Sequence, residues 1–335
     1  MWRKILVLGG AAMVLLGALV VTVVLVIGGR RLGETEVTPG LVSPQAGTYL
    51  ATIDHGGRVR RYLLHVPPAA KDLQPLPLLV LLHGGGGTGD RIDDLTGMIA
   101  IADREGFLVA LPDGVDKNWN DGRDDVRSTA HRENVDDVGF IRAMIDDVAA
   151  KTPVETRRVY AAGISNGAIM SSRLACEASD RIAAVGLVVG TAPEGFEETC
   201  RPVRPVPVIA FLGTDDPLVP YEGGPISAVL SLIDRGRVVS AEALKQFWAR
   251  HNGCAEPAAV AELPDITTAD NSRVVREAFG GCSEGADVVF YRIDGGGHTW
   301  PGGKQYLSPW LVGTTNRDVS ASELIWRFFA AHAMP

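Results

Sequence analysis

No Cys-x-x-Cys pair occurs in the 335 residues, and the four cysteines, Cys176, Cys200, Cys254 and Cys282, stand far apart. That spacing argues against a zinc site. Basic residues are in deficit: 32 Lys and Arg face 40 Asp and Glu, giving a net charge of −8, and no basic stripe appears. Nucleic acid is therefore not an expected partner. A glycine run follows His83 without a Gly-Lys-Ser or Gly-Lys-Thr ending, so it does not read as a phosphate cradle. Asp121, Asp124, Asp125 and His131 share one loop, but their spacing fits no EF-hand, and a solvated polar loop without metal is the expectation there. Internal repeats and low-complexity tracts are also lacking.

Long apolar runs are nearly lacking too, with one exception. Residues 5–27 are apolar apart from small residues and Thr22, between Arg3-Lys4 and Arg30-Arg31. At ~1.5 Å per residue such a run spans a ~30 Å hydrocarbon core. Its exit reads Val-Ile-Gly-Gly-Arg-Arg rather than Ala-x-Ala, and no lipid-accepting Cys follows. The segment 1–31 is expected to be a signal anchor, with a cleaved signal peptide as the other reading. Basic residues on both sides leave its orientation open. Residues 32–45 read as a linker and 46–335 as one catalytic domain.

What is present is ample apolar material, 46% of residues, with 39 Gly and 20 Pro for many loops. An even cysteine count behind an export segment implies two disulfides and an extracellular or cell-envelope location. Cys176–Cys200 and Cys254–Cys282 are the expected pairs, because each closes a modest loop. Strand-like runs at 48–53 and 60–66 suggest a hairpin around Asp-His-Gly-Gly. Further strands are expected at 76–82, 107–111, 157–161, 183–189, 206–212, 272–278 and 288–293. Helices are expected at 90–105, from Asp136 or Asp137 to about 150, after the turn at 165, at 241–251 and at 320–332. Residues 222–238 read as a lid-like excursion. Strands alternating with helices imply an α/β fold with a mostly parallel central sheet and helices on both faces.

One stretch organises the rest. Val159-Tyr160-Ala161-Ala162 leads into Gly163-Ile164-Ser165-Asn166-Gly167, and a helix-forming run follows. This is the strand–turn–helix setting of a nucleophile elbow, where Gly163 and Gly167 keep the tight turn free of Cβ atoms. A serine hydroxyl needs a base, and the base needs a carboxylate to fix its tautomer. In the α/β-hydrolase order the acid follows the serine and the histidine follows the acid. Asp215 and Asp216 end the 206–212 strand, and Asp216, which precedes a proline, is preferred. Of the later histidines, His251 and His332 fall in expected helices, whereas His298 lies among glycines beyond a strand end. Backbone N–H groups of Asn166 and of Gly85, or else Gly86, suit an oxyanion hole. Trp119, Tyr221 and Trp300 flank these loops, either to stack on a substrate ring or to wall the core.

Six motifs in order, Leu-His-Gly-Gly-Gly-Gly, Leu-Pro-Asp-Gly, Val-Asp-Asp-Val-Gly-Phe, Gly-Ile-Ser-Asn-Gly, Gly-Thr-Asp-Asp-Pro-Leu-Val-Pro-Tyr and Gly-Gly-Gly-His-Thr-Trp-Pro-Gly, carry a resemblance. Over residues 48–332 the chain resembles the esterases that include polyhydroxybutyrate depolymerases and feruloyl or acetylxylan esterases. The resemblance implies an α/β-hydrolase with Ser165 as nucleophile, Asp216 as acid, His298 as base, and Gly85 and Asn166 as oxyanion donors. It also implies a small or oligomeric ester as partner and no cofactor. Many members carry a cysteine where this chain has Gly85, so no disulfide forms there. No carbohydrate- or polymer-binding module is visible, which favours soluble esters. Two other readings remain at this point: a serine peptidase on the same fold, and a non-catalytic binding protein on a hydrolase scaffold.

Overall fold

Strands in this protein form where apolar residues can face both ways. The computed structural model describes residues 35–36, 45–72, 74–226, 235–255 and 257–335. The expected anchor or signal segment, most of the linker and the middle of the 222–238 excursion lie outside the described residues. Among the described residues no helix is long and apolar enough to cross a membrane.

The chain begins with β1 (Thr35–Glu36), β2 (Gly47–His55) and β3 (Arg58–Val66). β2 and β3 form the expected hairpin, turning through Gly56 and Gly57 at φ of 58° and 73°. β4 (Leu76–Leu82) then leads to α1 (Ile92–Thr96) and α2 (Met98–Glu105). These replace the single helix expected over 90–105. Gly97, at φ 62°, ends the first and starts the second. β5 (Leu108–Pro112), α3 (Thr129–Arg132) and α4 (Asp137–Lys151) follow, with the Asp136 carboxylate capping α4 through Gly139 N–H. β6 (Val154–Ile164) runs into α5 (Asn166–Glu177). Next come β7 (Ala184–Val188), α6 (Phe196–Thr199), β8 (Val208–Gly213), the short pair β9 (Gly224–Pro225) and β10 (Arg237–Val238), and α7 (Ala241–His251). The chain closes with β11 (Ala259–Glu262), β12 (Arg273–Phe279), β13 (Val288–Asp294), α8 (Pro309–Val312) and α9 (Ala321–Ala330).

Eleven strands make one sheet in the order β1-β2-β3-β5-β4-β6-β7-β8-β13-β12-β11. The block from β5 to β13 is parallel; antiparallel strands flank it on both sides. β4 is covered on both faces. Leu78, Val80 and Leu82 join a core with α4, α5 and α7, while Leu79 and Leu81 join the opposite core with α2 and α9. On that second face Phe107 stacks on Trp326 at 3.7 Å, and Tyr160 on Phe329 at 4.7 Å between centroids. From β4 the chain goes to β5 on one side and then to β6 on the other. The crevice at that reversal, outside the carboxyl ends of the strands, is where ligands bind in such sheets. Both expected disulfides are formed, Cys176–Cys200 and Cys254–Cys282.

Candidate active site

The elbow sits at the sheet's reversal point. A Cβ on Gly163 would lie 2.5 Å from the Gly167 carbonyl, and one on Gly167 would lie 2.3 Å from the Leu82 carbonyl oxygen. The two glycines are therefore required by the closeness of β4 to the turn, as the sequence implies. Ser165 is held at φ 57° and ψ −123°, a strained conformation for a residue with a side chain. Ser165 Oγ makes no hydrogen bond among the described residues.

The residues expected to serve as acid and base, Asp216 and His298, come from the loops after β8 and β13. His298 Nδ1 lies 2.7 Å from Asp216 Oδ2, and both side chains are almost fully buried. The other carboxylate oxygen, Oδ1, accepts from Leu218 N–H at 2.8 Å and Val219 N–H at 2.9 Å. Asp215 instead points to solvent and takes only the Thr214 hydroxyl. The two loops are stitched together: Thr214 N–H donates to Ile293 O, Asp215 N–H to Gly296 O, and Gly295 N–H to Thr214 Oγ1. On the far side of the base, His298 N–H donates to Val312 O at the end of α8, and the Tyr306 hydroxyl donates to His298 O. Burial, with the nearby Asp216 charge, holds that phenol protonated well above its ordinary range.

The two glycines named as candidate donors differ in what their N–H groups meet. Gly86 N–H is committed to Lys117 O at 2.8 Å. Gly85 lies against Asn166, whose Cβ is 3.8 Å from where a Gly85 Cβ would sit. Asn166 opens α5, so its N–H has no acceptor within the helix. His83 fixes the loop from below. Its Nδ1 donates to Gly84 O, its Nε2 accepts from Gly114 N–H, and its ring packs on Trp119 at 4.9 Å. Burial depresses its pKa, outweighing the Gly84 bond and nearby carboxylates, which keeps Nε2 free to accept.

Known proteins show the family of this chain. A family model, Esterase PHB depolymerase, matches residues 60–219. The putative esterase NocK of Nocardia uniformis subsp. tsuyamanensis is 34% identical over 274 residues, covering 80% of this chain and 78% of that protein. The chain belongs to the PHB depolymerase family of esterases. Feruloyl esterase B of Piromyces equi is 30% identical over 260 residues, 73% of this chain, and the match spans 44% of that longer protein. The acetyl xylan esterase from Aspergillus awamori shares the fold, with a TM-score of 0.52 at 15% identity over 75% of this chain and 94% of that one.

For other residues of this PHB-depolymerase-family esterase the structure decides between open alternatives or departs from the sequence expectation. Trp119 and Trp300 are wholly buried, so neither offers a face for stacking. Trp119 Nε1 donates to His83 O and Trp300 Nε1 to Ser322 Oγ, which makes both part of the wall. Tyr221 is half-buried against the core under α7. The exposed aromatic beside the base loop is Trp310 on α8, 73% exposed, and no motif marks it. The loop holding Asp121, Asp124 and Asp125 is not the solvated loop expected: Asp121 and Asp125 are buried. Asp121 is bound by Arg123, His131 and Asn166, and Asp125 by Arg235, so cationic and amide groups occupy these carboxylates. Among the described residues no cluster of His, Cys, Asp or Glu is arranged to hold a metal.

Proposed function

We propose that this esterase is an exported serine hydrolase that cleaves carboxylic esters through an acyl-enzyme. The substrates fitting this reading are feruloyl or acetyl esters of plant polysaccharide, or soluble hydroxybutyrate oligomers. Ser165 Oγ attacks the ester carbonyl carbon while His298 Nε2 takes its proton. The resulting imidazolium protonates the departing alcohol oxygen as the carbon–oxygen bond breaks. Water then attacks the acyl-enzyme by the same proton route and releases the acid. Gly85 and Asn166 N–H groups face the developing oxyanion, each lowering the barrier by about 3–4 kcal/mol.

The observation that carries this reading is the Asp216–His298 pair. With Oδ1 filled by two backbone N–H groups, Oδ2 is left to take the Nδ1 proton. That tautomer leaves the Nε2 lone pair for the serine. The serine-to-base hydrogen bond, open in this conformation, is of the kind that tightens when substrate arrives. Two disulfides support export, since such bonds persist in oxidising compartments.

The test is p-nitrophenyl acetate hydrolysis by the Ser165→Ala enzyme, with fluorophosphonate labelling of the wild type. Turnover should fall by about 10³-fold or more, and the label should map to Ser165. Undiminished turnover would refute the assignment. A panel of methyl ferulate, acetylated xylo-oligosaccharide and hydroxybutyrate trimer then ranks the acyl groups.

A further inference from the structure

A buried carboxylate outside the triad reaches the residue that follows the nucleophile. Asn166 is clamped on three bonds. Its Oδ1 accepts from Trp119 N–H at 2.8 Å, and its Nδ2 donates to Trp119 O at 3.0 Å and to Asp121 Oδ2 at 2.6 Å. Asp121 is wholly buried. Arg123 binds both of its oxygens, with Nε 3.1 Å from Oδ1 and 2.9 Å from Oδ2, and His131 Nε2 lies 2.8 Å from Oδ1. Burial alone would raise the pKa of this carboxyl. The Arg123 charge and the His131 bond overturn that and hold it well below the usual carboxylate range.

A general structural role does not account for the aim of this assembly. Arg123 and His131 would satisfy Asp121 without Asn166, and Trp119 would satisfy Asn166 without Asp121. The bond between Asp121 and Asn166 ties the two groups into one unit. Asn166 is the first residue of α5, directly after a strained serine, and its peptide is held within the helix through Ser165 O, which accepts from Ala168 and Ile169 N–H. The side-chain clamp adds a tie to Trp119, whose indole donates to His83 O, and so holds the Asn166 N–H in place relative to the glycine loop. The Arg123 cation matters for a second reason. An uncompensated carboxylate near the site would oppose an anion developing there, and Arg123 cancels that charge.

We infer that Asp121, paired with Arg123 and bonded to His131, is a positioning residue that holds the Asn166 N–H toward the oxyanion. The inference rests on the serine-esterase reading above. A double-mutant cycle tests it, using Asn166→Ala and Asp121→Asn with p-nitrophenyl acetate. Asn166→Ala keeps the backbone N–H, the Asp121–Arg123–His131 cluster and a good helix former, so it is the variant certain to report. It should lower kcat by about 10- to 100-fold, less than full loss of a donor, with KM within about two-fold; a lower melting temperature, from the Trp119 groups left unpaired, accompanies this without by itself changing kcat. Asp121→Asn should lower kcat in the wild-type background but add nothing in the Asn166→Ala background. Affinity for a boronic acid that forms a tetrahedral adduct should fall in step with kcat. An Asn166→Ala enzyme of full kcat would overturn the inference, as would losses that multiply across the cycle. Either of these results, alongside an inactive Ser165→Ala enzyme, would leave the serine reading intact.

Discussion

At the scale of single residues, the site depends on atoms that leave no room for others. Gly167→Ala sets a methyl group against two backbone carbonyls, Leu82 O and His83 O, neither of which can yield. It is expected to destabilise the protein by about 2–3 kcal/mol, measured by urea denaturation, and to lower ester turnover as the glycine loop shifts. His83 gives a pH signature. Its folded pKa is depressed, so above the ordinary value of about 6.5 both states are neutral and it adds no pH dependence. Below that value the unfolded chain takes up a proton that the native site refuses. Stability then falls with pH until the native imidazole also protonates. Urea midpoints of wild type and His83→Gln, compared between about pH 7.5 and 5, should show the steeper fall in the wild type, by at most ~1.4 kcal/mol per pH unit. Equal slopes would show that His83 is not held neutral. The strained turn at Ser165 and the contact between Asp216 and His298 were legible in the sequence because each residue sits in a glycine-marked loop after a strand. The burial of Trp119 and Trp300 was not, since it is decided by acceptors, His83 O and Ser322 Oγ, that only the folded chain brings to them.

At the scale of elements, α8 is the piece no motif announced. It is four residues long, and its last carbonyl accepts the His298 N–H. In the proposed mechanism the departing alcohol lies on the imidazole side of the scissile bond, because the imidazolium protonates it. With α8 bonded to the His298 backbone, Trp310 is proposed to meet the alcohol rather than the acyl group. Trp310→Ala is expected to raise KM by about 5- to 10-fold for esters of a sugar ring and to leave methyl esters of the same acid unchanged. Initial-rate kinetics on acetylated xylotriose and methyl acetate make the comparison; equal effects on both would assign Trp310 a structural part instead. Elements with a strong pattern were predictable: β4 as an unbroken apolar run and α4 and α9 because their apolar residues repeat with the helical period. β11 was not: its four residues are exposed, and it is a strand only because β12 offers an edge to pair with. The split between α1 and α2 depends on the left-handed backbone of Gly97, a choice that a lone glycine in a helical pattern leaves undecided.

At the scale of the whole molecule, the alternation of strands and helices foretold the parallel sheet, and the cysteine spacing foretold both bridges. The strand order, with β4 between β5 and β6, came only with the structure. The bridges span 24 and 28 residues, worth about 3–4 kcal/mol each by loop closure. Replacing Cys254 and Cys282 by serine should lower the melting temperature markedly while leaving kcat within about two-fold, because neither residue touches the catalytic loops. Calorimetry and the ester assay on one sample check both halves; a large kcat loss would show that the bridge supports the site. The stitching of the Asp216 and His298 loops carries a consequence for how this scaffold diversifies. Three bonds run from one loop to the other just before the acid–base contact, so the pair behaves as a single casting. An insertion in either loop alone would shear it, whereas paired changes, or changes on the serine side of the sheet, preserve it. New substrate preferences should therefore accumulate in segments such as α8 and the 222–238 excursion, while the casting passes from descendant to descendant at constant length.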